Sequence, residues 1–329
     1  MEGFTSVHDS LRSTKSIKNS TMASVKSNKS IKSAKSVKPN KRALKLGRYE
    51  NLPTLESAGY KLGQLLGKGQ YGSVYKALSR DGKEVAIKFI DPLESNEEDL
   101  AQEVGLLEEL SKNGCHKNVV CFYGLYKSTV ENRPTLAIVM EFIDGKDADK
   151  TFENMPKPLN PELARHIVTG LLDGLKVMHD KHIYDEDIKE ANIMVNKSND
   201  PIYVDLGLGC KKDLPRKGPY SCDRALGGSP HYMSKGKREC AAAHTCTEAD
   251  FRYADIWALG MVLLNILSGK ELPDDDEDYI RDFLINDYLR RNGDNLYPWD
   301  KNINEVIKLA LSNNSGITVN DLYNALNAP

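Results

Sequence analysis

Nowhere in its 329 residues does the chain hold an unbroken apolar stretch long enough to cross a bilayer. The longest apolar run, residues 256–267 (IWALGMVLLNIL), is interrupted by Asn265, and a spanning helix needs about 20 apolar residues. The opening MEGFTSVHDS lacks the apolar core of a secretory signal. Cysteine is limited to six residues with no dense, short-spaced framework, which favours reduced thiols in a reducing compartment. These absences set the expectation of an intracellular protein, cytoplasmic or nuclear, with no transmembrane segment.

Net charge is also nearly absent, at −2, but that figure hides an asymmetry. Residues 1–48 carry twelve Lys and Arg against Glu2 and Asp9, a net of +10, which leaves 33 basic and 45 acidic residues for the remainder. Opposed halves of this kind read as a solvated basic arm on an acidic globule. Within the arm, residues 13–38 repeat Lys-Ser-Ile/Val-Lys units with too few apolar residues to offset the entropy of ordering. Residues 1–57 are therefore expected to be a disordered tail and linker. Two roles stay open for the tail: a solubilising or phosphorylatable extension, or a contact for an anionic partner such as nucleic acid, acidic protein or lipid.

What the chain does have is a 40 % hydrophobic content, enough for a sizeable core. From Tyr60 onward, YKLGQLLGKGQYGSVYKAL and KEVAIKFI are short β-branched runs separated by glycine turns and by Asp81-Gly82, a hairpin signal. Residues 97–111 open with acids and space their apolar residues as a helix does. TLAIVMEFI predicts a buried strand, and helical periodicity dominates beyond Pro161. A strand-rich first part with one helix, then a helical second part, predicts an α+β fold of two lobes with a cleft between them.

Several short motifs carry chemistry. Gly67-Lys68-Gly69-Gln70-Tyr71-Gly72-Ser73-Val74 places glycines where backbone N–H groups can approach phosphate oxygens without a Cβ in the way. By itself a glycine-rich turn is most often merely a turn. The next strand contains Val85-Ala86-Ile87-Lys88, and a lysine inside an apolar strand is costly unless paired. Nucleotide phosphates and a carboxylate from the following helix would supply those partners.

Together these two segments resemble the small lobe of protein kinases, and further motifs follow in that family's order. The resemblance implies Glu103 as the partner of Lys88, with Glu98 and Glu108 as fallbacks. It makes Met140-Glu141-Phe142-Ile143 the hinge, with backbone groups of Glu141 and Ile143 on the adenine edge, Asp147 near the ribose, and Val74, Ala86 and Met194 completing the ATP site. Asp187-Ile188-Lys189-Glu190-Ala191-Asn192 matches the family's D-x-K-x-x-N catalytic loop. It implies Asp187 as acceptor of the substrate hydroxyl proton, Lys189 beside the transferring phosphoryl group, and Asn192 as a metal ligand. Asp205-Leu206-Gly207 resembles D-F-G, so Asp205 would hold Mg2+. Gly228-Ser229-Pro230-His231-Tyr232-Met233 is similar to the substrate-binding G-T-P-x-Y-M segment, and residues 255–260 (DIWALG) to the helix beneath the catalytic loop. The resemblance implies a bilobal domain over residues 58–329 (N-lobe about 58–143, C-lobe about 144–329) and ATP with a protein serine or threonine as substrates. A nucleotide-binding or scaffolding pseudokinase is the alternative.

The departures from that pattern make specific demands. Asp185-Glu186 stands where the family has His-Arg, so three adjacent acids need compensation from metal, Lys189 or Lys211. An aspartate at 185 weakens the apolar column joining the lobes unless it is hydrogen bonded or protonated. Glu186 cannot receive a phosphorylated activation loop, and the basic segment after Asp205 makes Lys211 or Lys212 its expected partner. Ser234-Lys235-Gly236 replaces A-P-E, and Gly316 stands in place of the arginine that pairs with that glutamate. Both partners of one ion pair are missing together, which leaves no stranded charge but a looser substrate-binding region. Cys240, His244 and Cys246, with Cys222 and His231, make zinc conceivable, although their spacing fits no compact knuckle. Divergence with the catalytic groups kept is also a pattern of viral kinases, for which the setting would be host cell or virion.

Overall fold

The computed structural model describes residues 49–69, 72–90, 97–130, 132–212, 222, 227–270 and 278–329. The basic tail, Gln70 and Tyr71 of the glycine-rich loop, and most of the basic segment after Lys212 lie outside the described residues.

The first lobe is built from α1 (Leu55–Ala58), β1 (Lys61–Gly69), β2 (Gly72–Leu78), β3 (Glu84–Ile90), α2 (Glu97–Ser111), β4 (Phe122–Val130) and β5 (Arg133–Glu141). Its strands form an antiparallel sheet in the order β1-β2-β3-β5-β4. The Asp81-Gly82 turn closes β2 onto β3, with Gly82 at φ +81 and its N–H donating to Ser79 O at 3.0 Å. Strand alternation sorts the sheet into two faces. Val74, Lys88 and Ile138 share one row, and Ala86 faces Met140 in the next, so the cleft-facing residues lie together. The opposite face buries Ala77, Val85, Ile87, Phe89, Ala137 and Val139 beneath Leu55 of α1. Strand β4 had no counterpart among the sequence expectations; the expected buried strand is β5.

The second lobe contains β6 (Gly145–Asp147), α3 (Ala148–Phe152), α4 (Pro161–Asp180), β7 (Ile183–Tyr184), β8 (Ile193–Asn196), β9 (Pro201–Tyr203) and β10 (Cys210–Lys211). It continues with α5 (Lys235–Ala243), α6 (Glu248–Leu263), α7 (Asp278–Asn292), α8 (Lys301–Ala310) and α9 (Val319–Leu326). Asn160 caps α4, its side chain accepting from the N–H groups of Glu162 and Leu163, with Pro161 preset for the first turn. Thr247 and Asp250 form a capping box at the start of α6. The apolar run read from the sequence lies within α6 and the π-helical turn Leu264–Ser268 that follows it. This segment is long and apolar enough to cross a membrane but is 89 % buried inside the lobe. The chain is thus α+β, with an antiparallel sheet and one long helix in the first lobe and a mainly helical second lobe.

The cysteines depart from expectation. They pair as Cys115–Cys121, Cys210–Cys222 and Cys240–Cys246 rather than standing as reduced thiols. The paired residues are 6, 12 and 6 positions apart in sequence, and Cys210 and Cys222 are buried with Tyr184 and Phe251. With Cys240 bonded to Cys246, the thiolates a zinc site would need are consumed.

Candidate active site

Lys88 projects from β3 into the cleft, where α2 brings Glu103 to it. The ammonium lies 2.6 Å from Glu103 Oε1 and 3.4 Å from Asp205 Oδ1. Burial works against the Lys88 charge, but Glu103 and Asp205 outweigh it and hold its pKa above the usual lysine range. Burial pushes the Glu103 carboxyl up, with Lys88 opposing. At 2.6 Å the contact has the geometry of a charge-assisted bond, and the pair is ionic. Of the fallback carboxylates, Glu108 lines a separate shallow depression with Glu109 and Phe122.

The catalytic-loop residues converge in the second lobe. Lys189 Nζ donates to Asp187 Oδ2 at 2.6 Å and to Ser229 Oγ at 2.9 Å, while the Ser229 hydroxyl donates to Asp187 Oδ1 at 2.7 Å. Asn192 Nδ2 donates to Asp187 O and Oδ2, each at 3.0 Å. Its amide nitrogen thus faces the loop, which leaves the oxygen as the end able to bind a cation. The Asp205 side chain is 44 % exposed, and its Oδ1 accepts from Gly207 N at 3.1 Å. One carboxylate and one amide oxygen form a hard-oxygen donor set that fits Mg2+, which keeps waters and substrate phosphates as its other ligands.

The three adjacent acids are accommodated separately. Asp187 has Lys189. Asp185 is buried, accepts from Asp187 N at 3.0 Å, and is held well above the usual carboxylate range by burial and by Asp255. It is therefore a buried, hydrogen-bonded acid, one of the two conditions set for an aspartate at this position. Glu186 bonds to Lys237 of α5, not to Lys211 or Lys212 as expected. Lys211 turns instead toward Glu109 of α2 at 3.7 Å, and Lys212 N donates to His182 O at 3.1 Å. From below, Asp255 of α6 accepts from the backbone N–H groups of Asp185 at 2.9 Å and Glu186 at 2.8 Å, and bonds His179 at 3.0 Å.

The nucleotide-binding candidates are partly assembled. Gly67, Lys68 and Gly69 lie at the exposed end of β1, and β2 resumes at Gly72. Gly72 has φ +151, and a Cβ there would stand 1.9 Å from Phe89 O, so close backbone packing requires glycine. In the hinge, Glu141 N donates to Cys121 O at 2.9 Å, and Ile143 is buried. Met194 of β8 pairs with Asp147 of β6. The Asp147 carboxylate, expected near a ribose, caps α3 through Lys150 N at 2.8 Å and pairs with Lys150 Nζ at 2.5 Å.

The region of the missing A-P-E pair is better tied than expected. Ser234 caps α5, its Oγ accepting from Lys237 N at 3.2 Å. Arg238 bonds Asp282 of α7 and donates to Met233 O at 2.7 Å. Sequence reasoning did not single out Lys237 or Arg238, the residues whose bonds tie this region down. The only signal was their position, directly after the segment that replaces A-P-E.

The chain belongs to the protein kinase domain family, which it matches over residues 60–315. Among its relatives, Misshapen-like kinase 1 of Rattus norvegicus is 29 % identical over 217 residues, covering 64 % of this chain and 15 % of that protein. Cytokinesis protein sepH of Aspergillus terreus is 30 % identical over 217 residues, 65 % of this chain and 14 % of that protein. A probable serine/threonine-protein kinase of Dictyostelium discoideum is 29 % identical over 211 residues, 64 % of this chain and 39 % of the relative. The chain thus spans well under half the length of these curated relatives.

Proposed function

We propose that the chain is a serine/threonine protein kinase that transfers the γ-phosphoryl group of ATP to a protein hydroxyl, with Asp187 as the base. The observation that carries this reading is the meeting of Lys189 and the Ser229 hydroxyl on the Asp187 carboxylate, at 2.6 and 2.7 Å. A carboxylate that already accepts an aliphatic hydroxyl, with a cation beside it, is suited to orient a substrate serine or threonine. The attacking oxygen forms its bond to the γ-phosphorus, the bond to the β-phosphate bridging oxygen breaks, and the hydroxyl proton passes to Asp187. Lys189 stands where charge develops on the phosphoryl oxygens. Lys88, fixed by Glu103, holds the nucleotide phosphates, and the glycine-rich turn supplies backbone donors. Mg2+, bound by Asn192 and Asp205, would neutralise phosphate charge.

Transfer of radiolabel from ATP to a generic protein, in the presence of Mg2+, tests this reading against a pseudokinase. Wild type is expected to label the protein and Asp205→Ala to fail. Nucleotide binding without transfer by the wild type would overturn the catalytic reading in favour of the scaffold.

A further inference from the structure

The pairing of Glu186 with Lys237 joins two parts of the site that the proposed reaction must hold together. Glu186 precedes Asp187, and Lys237 lies in the first turn of α5, just beyond the substrate-binding segment 228–233. Both side chains are almost wholly out of water, at 1 % and 2 % exposed. Surface lysines gain little from such contacts, but this one is enclosed.

The surroundings fix both ends. Lys237 Nζ lies 4.2 Å from the centre of the Phe251 ring, on α6, in cation–π geometry. Its own backbone N–H is held by the Ser234 cap. The Glu186 backbone is in the left-handed region at φ +67, a conformation a non-glycine residue keeps only when its surroundings impose it. Asp255 Oδ1 holds the Glu186 N–H, and Gly228 packs so closely that a Cβ there would meet Glu186 O at 2.7 Å. The catalytic loop, the substrate-binding segment, α5 and α6 therefore all meet at Glu186.

We propose that Lys237 is a positioning residue for phosphoryl transfer: through Glu186 it locks the catalytic loop to the substrate-binding segment, so that the site is assembled without a phosphate on the activation segment. The proposal rests on the kinase reading above. A carboxyl at 186 offers a phosphate no cation, and a lysine built into α5 supplies from within the chain the hydrogen-bonding partner that an acid at this place needs.

The test is steady-state phosphorylation of a peptide by full-length protein made in bacteria and treated with phosphatase. Wild type is expected to be active. Lys237→Met is expected to lower kcat about 10- to 100-fold, as small misplacements of reacting groups do, with the KM for ATP nearly unchanged. Lys237→Arg, which keeps the cation, should recover most of the loss, and the charge-exchanged double variant Glu186→Lys with Lys237→Glu should recover part of it. A merely structural role would lower the amount of folded enzyme in the melt and leave kcat per folded molecule intact. Should Lys237→Met fail to fold, Glu186→Gln takes its place in the same assay. A kcat unchanged in the variant, or a phosphatase-treated wild type silenced until rephosphorylated, overturns this proposal alone. A wild type that binds ATP but never transfers phosphate overturns the kinase reading and this proposal with it.

Discussion

Lys88 and Glu103 meet at 2.6 Å within the first lobe, the lysine from β3 and the carboxylate from α2, with side chains only 14 % and 10 % exposed. Replacing Lys88 by Met removes the cation that would hold the nucleotide phosphates, and transfer is expected to fall about 100-fold or more, as for the loss of one charge-stabilising contact. Thermal stability should fall less than the ~3–5 kcal/mol of a stranded buried charge. Burial already raises the Glu103 carboxyl, so the acid can take up a proton when its partner is gone. Peptide phosphorylation and a thermal melt on one sample check both halves.

Asp187→Asn keeps the size of the side chain and removes the base. The amide can still accept one of the bonds now made by Ser229 and Lys189, at 2.7 and 2.6 Å. The melt should therefore stay close to wild type and nucleotide affinity should be retained, while kcat falls about 100- to 10,000-fold. Binding of a fluorescent ATP analogue alongside turnover separates these quantities, and undiminished turnover would remove Asp187 from the mechanism.

Much of this site was legible because each motif residue sits on an element whose local pattern is strong. Lys88 lies in an apolar strand, Glu103 on an amphipathic helix, and Asp187 to Asn192 within one short loop. Contacts between elements were less legible. Glu186 and Lys237 are 51 residues apart with no motif linking them. Charge counting pointed to nearby Lys211, but that lysine lies beside Glu109 of α2. The fate of Asp147 was likewise hidden, since a capping role and a ligand role call for the same residue type. Cysteine spacing could not reveal the pairing, because pairing depends on turns that bring the sulfurs together and on redox conditions rather than on a sequence signal.

Gly228 offers a test of how tightly the substrate-binding segment is seated. Its φ is +129, and a Cβ would stand 2.7 Å from both Glu186 O and the Met233 methyl carbon. Gly228→Ala should cost about 1–3 kcal/mol of stability from the backbone conformation. It should also lower turnover on peptide by pushing residues 228–233 off the catalytic loop. A variant with wild-type melt and wild-type kcat would show that the segment yields freely, contrary to the packing around Glu186.

The pH dependence of stability is set in part by Glu186. Burial lifts its carboxyl to about 8, with Lys237 opposing and Asp255 adding to the rise. One carboxyl oxygen is bonded to Lys237, while Oε1 is buried without a hydrogen-bond partner among the described residues, so the ionised form is poorly served. An acid whose pKa is higher in the folded than in the unfolded chain binds its proton more tightly when folded. Its contribution to stability is therefore fully present below the ordinary value of 4.5 and is lost as pH rises through about 8. Asp185, raised in the same direction by burial and Asp255, acts with the same sign. Glu186→Gln removes one titration and leaves the other. The difference in melting temperature between wild type and Glu186→Gln should move against the wild type from about pH 5 to about pH 8 and flatten above that. A difference that stays level across the range, or that moves in favour of the wild type, would show that Glu186 is already ionised at low pH and that its bond to Lys237 is ionic throughout.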